Sequence, residues 1–257
     1  MPFRHIEHLC NKAGKSIAEF SDLQLKEMLH CGGKSVRKPA QSEELAEFLG
    51  ILSGDGCIVD REYSINITCD YILDKNYVVS EVEPLFTSLF WVAPKIRRLK
   101  NEICCRVYSK DLFNFLSVAC SFPVGEKKNR LEIPAWVLCN KKFSSAFLRG
   151  VFDTDGGFHR HHKNCAQIEY TSHSPRFLAQ IYSALKDLNL NPHLGKEQVW
   201  ILQKEKIAQF FEVINPRNKK HQYKYRKFRE TGRVPLSREI KCGYRDSNPG
   251  HDLFAAI

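Results

Sequence analysis

Two stretches of nine residues resemble each other: Phe48-Leu-Gly-Ile-Leu-Ser-Gly-Asp-Gly56 and Leu148-Arg-Gly-Val-Phe-Asp-Thr-Asp-Gly156. Gly50 matches Gly150 and Asp55 matches Asp155, both at an offset of 100 residues. Further similar segments follow each copy in the same order, with offsets that drift by a few residues as loop lengths change. The sequence therefore predicts an internal duplication with two similar half-domains.

Each half has the same predicted order: helix, two strands, helix, two strands, helix. Strands with one buried face are indicated where polar and apolar residues alternate, as in Ser64-Ile-Asn-Ile-Thr68 and Gln167-Ile-Glu-Tyr-Thr171. Ser42 is the predicted N-cap of the first motif helix, and Ser144 or Ser145 is that of the second. We predict an N-terminal extension (1–40), a first half-domain (41–125), a linker (126–143), a second half-domain (144–228) and a C-terminal basic tail (229–257).

The amino-acid composition excludes several classes of protein. Of the 257 residues, 43% are hydrophobic and 26% are charged, which is typical of a soluble globular chain. No run of 18 apolar residues is present, so we expect no membrane partner. The ten cysteines form no Cys-x-x-Cys pair, which favours reduced thiols over a disulfide frame or a zinc site. Since the N-terminus also has no signal-peptide pattern, we expect an intracellular, cytoplasmic protein, or one in an organelle matrix if the host is eukaryotic.

The formal net charge of +10 lies mainly near the C-terminus. Residues 215–257 contain eleven Lys or Arg and four acidic residues. Aromatic residues interleave with this basic run, a mixture that suits phosphate and base contacts. Charge alone leaves a solvated helical face open as the alternative.

Both motif helices are apolar nearly all round, so we expect them to be buried. Small residues four positions apart, Gly50 with Gly54 and Gly150 with Thr154, would let the two helices approach closely. That packing would bring Asp55 and Asp155 together at two helix C-termini, where negative charge is unfavourable. A shared proton or a divalent cation such as Mg²⁺ would relieve the repulsion. The alternative is that each Asp-Gly pair only ends its helix.

The two nonapeptides resemble those of single-chain, two-motif LAGLIDADG homing endonucleases. The resemblance implies an α+β fold with tandem pseudo-symmetric αββαββα half-domains, in which the motif helices pack at the centre of two saddle-shaped antiparallel sheets. It implies an intron-encoded, site-specific double-strand DNA endonuclease that hydrolyses phosphodiester bonds across the minor groove. Asp55 and Asp155 would be catalytic and would bind Mg²⁺, or Mn²⁺ in its place, with the Gly54 and Thr154 carbonyls. Ser53 stands where the second motif has Asp153, which we do not assign to catalysis.

The partner implied is double-stranded DNA with a long asymmetric target site, bound by a monomer. A basic residue in each half of such proteins assists at the cleaved phosphate, and here Lys127 or Lys128 and Lys219 or Lys220 lie in the matching regions. A two-stranded ribbon fits the major groove, so polar strand residues become candidate base readers. The predicted DNA-binding set is Asn66, Thr68, Lys95, Arg97, Arg106, Lys127, Lys128, Gln167, Glu169, Thr171, Lys219 and Lys220. The alternative function is an RNA maturase that binds intron RNA, or a non-cleaving DNA-binding protein on the same scaffold.

Overall fold

The computed structural model describes residues 29–31, 34–162, 165–236 and 239–240. Most of the predicted N-terminal extension (1–40) and much of the predicted basic tail (229–257) lie outside the described residues. The described end of the extension contains an antiparallel hairpin of β1 (Leu29–Cys31) and β2 (Lys34–Val36).

The first half-domain begins with motif helix α1 (Glu43–Asp55), whose N-cap is Ser42, as predicted. The Ser42 hydroxyl accepts a hydrogen bond from the Leu45 N–H at 3.2 Å. The elements after α1 are β3 (Gly56–Val59), β4 (Ser64–Asp70), α2 (Tyr71–Tyr77), a π-helical turn (Val78–Val82), α3 (Glu83–Phe90), β5 (Lys95–Leu99), β6 (Glu102–Tyr108), α4 (Lys110–Asn114) and a second π-helical turn (Phe115–Ala119). The four strands form an antiparallel sheet in the order β3-β4-β6-β5.

The second half-domain repeats this order around motif helix α6 (Lys141–Asp155), after a short helix α5 (Ala135–Leu138). The elements after α6 are β7 (Gly157–Arg160), β8 (Ala166–Thr171), α7 (Pro175–Asp187), β9 (His193–Leu194), β10 (Gln198–Ile201), α8 (Lys204–Val213) and α9 (Lys219–Thr231). The antiparallel sheet of this half has the strand order β7-β8-β10-β9, the counterpart of the first sheet. The predicted α+β fold with tandem αββαββα halves is thus confirmed.

The predicted N-cap of the second motif helix is wrong. Asn140 caps α6, because its backbone is extended and its side chain accepts a hydrogen bond from the Lys142 N–H at 2.9 Å. Ser144 and Ser145 lie inside the helix and are buried. Their hydroxyls instead donate to the carbonyls of Val137 at 2.9 Å and Val213 at 2.7 Å, so they fasten α6 to neighbouring segments.

The two motif helices pack directly on each other, as the small residues predicted. A β-carbon at Gly150 would lie 2.7 Å from the Ile51 backbone nitrogen and 3.0 Å from the Gly50 carbonyl carbon, so only glycine permits this approach. Beside the crossing, the buried carboxylate of Glu47 forms ion pairs with the Arg149 guanidinium at 3.3 Å and with the Arg217 guanidinium at 3.4 Å. The α1–α6 contact therefore joins the two half-domains.

Each half-domain has its own aromatic core against its motif helix. Phe48 of α1 packs edge-on against Phe86 and Phe90, with ring centroids 5.1 and 5.0 Å away. Phe152 of α6 contacts Phe210 at 4.8 Å and the His221 ring at 4.4 Å. Because both helices are held from behind in this way, their C-terminal ends are fixed in position.

Among the described residues, none of the helices combines the length and the apolar character that crossing a bilayer requires.

Candidate functional site

The carboxyl ends of α1 and α6 meet, and each ends in an aspartate. A β-carbon at Gly54 would lie 2.8 Å from the Thr154 Cβ and 3.4 Å from the Asp155 backbone nitrogen. Asp55 is half-buried and Asp155 is more exposed. The structure thus brings together the two carboxylates that the duplicated motif singled out.

Electrostatics make this pair unfavourable without a cation. Burial raises the pKa of the Asp55 carboxyl to about 6, and the charge of Asp155 acts in the same direction. A hydrogen bond from the Cys69 thiol opposes both effects. Burial also raises the pKa of Asp155, whereas Lys127 and Lys220 lower it. The site therefore has excess negative charge that its two nearest lysines compensate in part.

Lys127 supplies the first of these positive charges. Its ammonium donates to the carbonyls of Ser53 at 2.9 Å, of Leu52 at 3.4 Å and of Gly54. A cation is favourable there because the last carbonyls of a helix carry partial negative charge. Burial nevertheless lowers the pKa of the Lys127 amine, although the two aspartates raise it. Of the predicted pair, Lys127 lies at the carboxylates and Lys128 is exposed.

Lys220 supplies the second charge. Its ammonium lies 2.8 Å from Oδ1 of Asp74, a buried carboxylate on α2 of the first half-domain. Lys219, the neighbouring candidate, is exposed. In each lysine pair that the sequence left open, one member, Lys127 or Lys220, lies close enough to act on Asp155, and its neighbour is exposed.

Asp153 is fully buried and holds the segment before α9. Its carboxylate accepts hydrogen bonds from the backbone N–H of Arg217 at 2.8 Å and of Asn218 at 3.1 Å. Burial raises its pKa to about 7, against those two hydrogen bonds. Ser53, at the same place in the first motif, only donates to the Leu49 carbonyl at 2.7 Å within its own helix. Asp153, where the first motif has Ser53, therefore has a structural role.

A divalent cation fits the donor set at the helix ends. Two carboxylates and the terminal carbonyls of Gly54 and Thr154 are hard oxygen donors, which suit Mg²⁺ with water completing its coordination. Within the described part of the chain, His, Cys, Asp and Glu side chains form no group of three or more that could enclose a metal. An ion here would therefore depend on carbonyl oxygens, water or substrate for most of its ligands.

A cleft of about 770 Å³ opens beside Asp155. Its lining includes Lys127 and Lys128, together with His173 and Lys196 of the second half-domain. Three lysines beside a carboxylate suit a phosphate-containing backbone.

The predicted readers of the first sheet share one face. Asn66 lies opposite Arg106, which lies opposite Lys95, and in the next row Thr68 and Arg97 flank Cys104. Asn66 Oδ1 and Arg106 Nε are buried and have no hydrogen-bond partner among the described residues. Buried polar atoms usually have partners, so this face is suited to an external hydrogen-bonding ligand.

The second sheet presents a different face. The Glu169 carboxylate accepts a hydrogen bond from Gln167 Nε2 at 2.8 Å, and its Oε2 lies 3.2 Å from His159 Nε2. Gln167 is 3% exposed and its Oε1 has no partner among the described residues, while Thr171 is exposed. The outward residues of β7, β8 and β10 include no Lys or Arg, in contrast to the first sheet.

Three further residues of this face were missed from the sequence. The register places Gln198 and Trp200 of β10 beside Thr171 and Glu169. His193 of β9 stacks on Trp200, with ring centroids 5.6 Å apart. The alternation in Gln198-Val-Trp-Ile201 is the signal that could have identified them.

Comparison with known proteins gives matches at the level of domain and fold. A family model described as a LAGLIDADG-like domain matches residues 142–215. The homing endonuclease I-DmoI, in complex with DNA and Mn, superposes with a TM-score of 0.50 at 18% identity and covers 67% of this chain and 96% of its own. Its complex with DNA and Ca gives a TM-score of 0.50 at 17% identity, over 67% and 88%.

The N-terminal LAGLIDADG domain of DUF199/WhiA gives a TM-score of 0.47 at 20% identity, covering 70% of this chain and 88% of that one. No curated protein sequence matches significantly.

Proposed function

We propose that this chain, a two-motif member of the LAGLIDADG family, is an intron-encoded, site-specific endonuclease that cuts both strands of DNA with divalent metal ions. The observation that carries the proposal is the meeting of Asp55 and Asp155 at two packed helix ends, each with a lysine nearby. A duplicated acid–lysine arrangement suits a reaction performed twice, once on each strand.

In this proposal the two aspartates and the Gly54 and Thr154 carbonyls hold Mg²⁺, for which Mn²⁺ can substitute. The bound ion would supply Lewis acidity at the phosphodiester and would compensate the paired carboxylates. Because the pKa of Asp55 is raised to about 6, its carboxyl must lose its proton before it can serve as a ligand. Lys127 donates to the Gly54 carbonyl, so its ammonium would have to leave that oxygen to a metal.

The lysines would then act on the phosphate. An ammonium released from the α1 carbonyls remains beside Asp55 and Asp155 and can neutralise charge that develops on the phosphate oxygens. Lys220 lies close enough to both aspartates to influence their pKa values, so it can do the same on the other side.

Recognition would use the two sheet faces in the major groove. The first face has three cations, Lys95, Arg97 and Arg106, whereas the second has Glu169, His193 and Trp200. Arg side chains pair well with guanine and carboxylates accept from cytosine. Since the two faces differ, the preferred target would be long and non-palindromic, and a monomer would bind it.

The test is cleavage of a plasmid that carries the intronless allele of the gene interrupted by this reading frame. We expect double-strand cutting in Mg²⁺ to fall at least ~100-fold in Asp55→Asn and in Asp155→Asn, because each removes one charge from the reacting centre. The control is Asp60→Asn, an exposed turn residue that should leave cutting unchanged.

Undiminished cutting by either active-site variant would overturn the assignment of the carboxylates. If the wild-type protein bound intron RNA specifically and cut no DNA, the RNA maturase would be the better description. If it bound the DNA target without cutting it, the protein would be a non-cleaving DNA-binding protein.

A further inference from the structure

Asp74 is a carboxylate of the first half-domain whose hydrogen bond and ion pair, among the residues that the structure describes, both go to the second half-domain. It lies on α2 and is 5% exposed. Its Oδ1 accepts a hydrogen bond from Asn218 Nδ2 at 2.7 Å and pairs with Lys220 Nζ at 2.8 Å. Neither the sequence repeat nor the motif resemblance identified this residue.

The segment that presents Lys220 is held from three directions. Asn218 donates a second hydrogen bond from Nδ2 to the Asp153 carbonyl at 2.9 Å, and its backbone N–H donates to the Asp153 carboxylate. Its own Oδ1 accepts the Lys220 N–H at 3.1 Å and so caps α9. Since the backbone at Lys220 is fixed, the direction of its side chain depends on the Asp74 carboxylate.

The duplication does not extend to this anchor. Helix α7 is the counterpart of the helical segment from α2 to α3, and its acidic residue, Asp187, is its last residue. Lys127, the other lysine at the site, donates to carbonyls of α1. Both lysines are therefore held by groups of the first half-domain.

A buried ion pair is weak evidence for stability, because desolvation offsets most of the attraction. A role in placement explains why a carboxylate is buried here. We propose that Asp74 is a positioning residue that holds the Lys220 ammonium beside Asp55 and Asp155, so that the first half-domain completes the half-site supplied by the second. This inference rests on the proposed endonuclease function.

The first test is a double-mutant cycle on DNA cutting with Asp74→Asn, Lys220→Met and the double variant. Asparagine keeps an acceptor for Asn218 and loses the charge that holds Lys220. We expect both single variants to accumulate nicked plasmid, with one strand cut about 10- to 100-fold more slowly, because misplacing a reacting group by about 1 Å has effects of that size.

If Asp74 acts through Lys220, the double variant should cut no more slowly than Lys220→Met alone. Glu81→Gln is the matched control, because Glu81 pairs with Arg217 at 3.8 Å across the same interface without contacting Lys220. The proposal would be overturned if the rate losses of the two single variants multiplied in the double variant, or if Glu81→Gln accumulated as much nicked plasmid as Asp74→Asn. Asp74→Glu, which keeps the carboxylate, should restore part of the rate.

A second test needs no cutting. Amine acylation followed by mass spectrometry measures the reactivity of each lysine in the free, full-length protein. We expect Asp74→Asn to increase labelling of Lys220, whose side chain is 13% exposed, while exposed Lys219 serves as the internal reference. An unchanged Lys220 rate overturns the anchor itself. A wild-type protein that cuts no target overturns the endonuclease proposal, which is a separate failure.

Discussion

The glycine contact between the motif helices can be tested by Gly150→Ala. A new β-carbon would lie 2.7 Å from the Ile51 nitrogen, and closer still to the Glu47 carbonyl oxygen. Contacts of this kind are comfortable at about 3.5 Å, so the helices would have to separate by roughly 0.8 Å or more. Both close neighbours are backbone atoms, which cannot turn away as a side chain could.

Gly150→Ala is expected to lower the stability of the protein, whereas the same substitution at an ordinary helical glycine raises it. Alanine favours the helix by about 1 kcal/mol over glycine. Overpacking costs typically about 1–3 kcal/mol and more where backbone must move. Because backbone must move here, we place the overpacking cost at about 3 kcal/mol and expect a net destabilisation of about 2 kcal/mol. This corresponds to a decrease in Tm of roughly 4–8 °C for a chain of this size.

Urea unfolding and thermal melts measure the change. The matched control is Gly157→Ala, where the nearest atom to a new β-carbon is the His159 side-chain Nδ1 at 3.1 Å. Its stability should change by less than about 1 kcal/mol, because a side chain can move aside. A Gly150→Ala protein as stable as the wild type would refute direct backbone packing between the helices.

Three further predictions concern a histidine, an aspartate and the first sheet. Burial holds the pKa of the His221 imidazole well below 6.5, and the charges of Lys220 and Lys224 act in the same direction. Below about pH 6.5, therefore, the unfolded chain takes up a proton at this residue and the folded chain does not. The free energy of unfolding then falls by up to about 1.4 kcal/mol per pH unit. His221→Leu should remove this contribution from urea unfolding free energies between pH 6.5 and 5, and an unchanged pH slope would contradict it. Asp153→Asn should lower the urea unfolding free energy at pH 8 by about 2 kcal/mol, because the amide NH₂ would face one of the two N–H groups that the carboxylate now accepts from. An unchanged free energy would show that those hydrogen bonds contribute little. Lys95→Ala and Arg97→Ala should each reduce by about 1 the slope of log affinity for DNA against log salt concentration. Arg98→Ala should leave this slope unchanged, because the Arg98 guanidinium stacks over Tyr71 at 4.1 Å on the opposite side of the strand. Equal effects of all three variants would count against a DNA-facing row.

The parts of the fold that repeat could be predicted from the sequence. The LAGLIDADG resemblance, based on the two nonapeptides, is supported by the family model over residues 142–215 and by the shared fold. The alternation at Asn66 and Thr68 also fixed which side chains share a face, because strand periodicity depends only on local geometry. The predicted roles of Asp55, Asp155 and the DNA-binding set stay predictions.

Features that depend on distant contacts could not be predicted. Asp74 and Asn218 are 144 residues apart, and no local pattern marks them as partners. The choice between Lys127 and Lys128 depends on where the chain crosses the α1 terminus, since neighbouring side chains point in different directions. The cap of α6 was missed because Asn and Ser cap equally well, and the preceding chain decides which is used.

The close crossing of the motif helices has a consequence for synthesis of the chain. Gly50 makes its contact with Gly150, a residue 100 positions later. At about 5–20 residues per second, a ribosome needs on the order of 5–20 s to cover that interval. During this time the first motif helix has left the ribosome without its partner, and the surface that will contact α6 stays open to chaperones and to other nascent chains. Translation rate over residues 56–155 is therefore expected to affect the yield of folded protein more than the rate elsewhere in the chain.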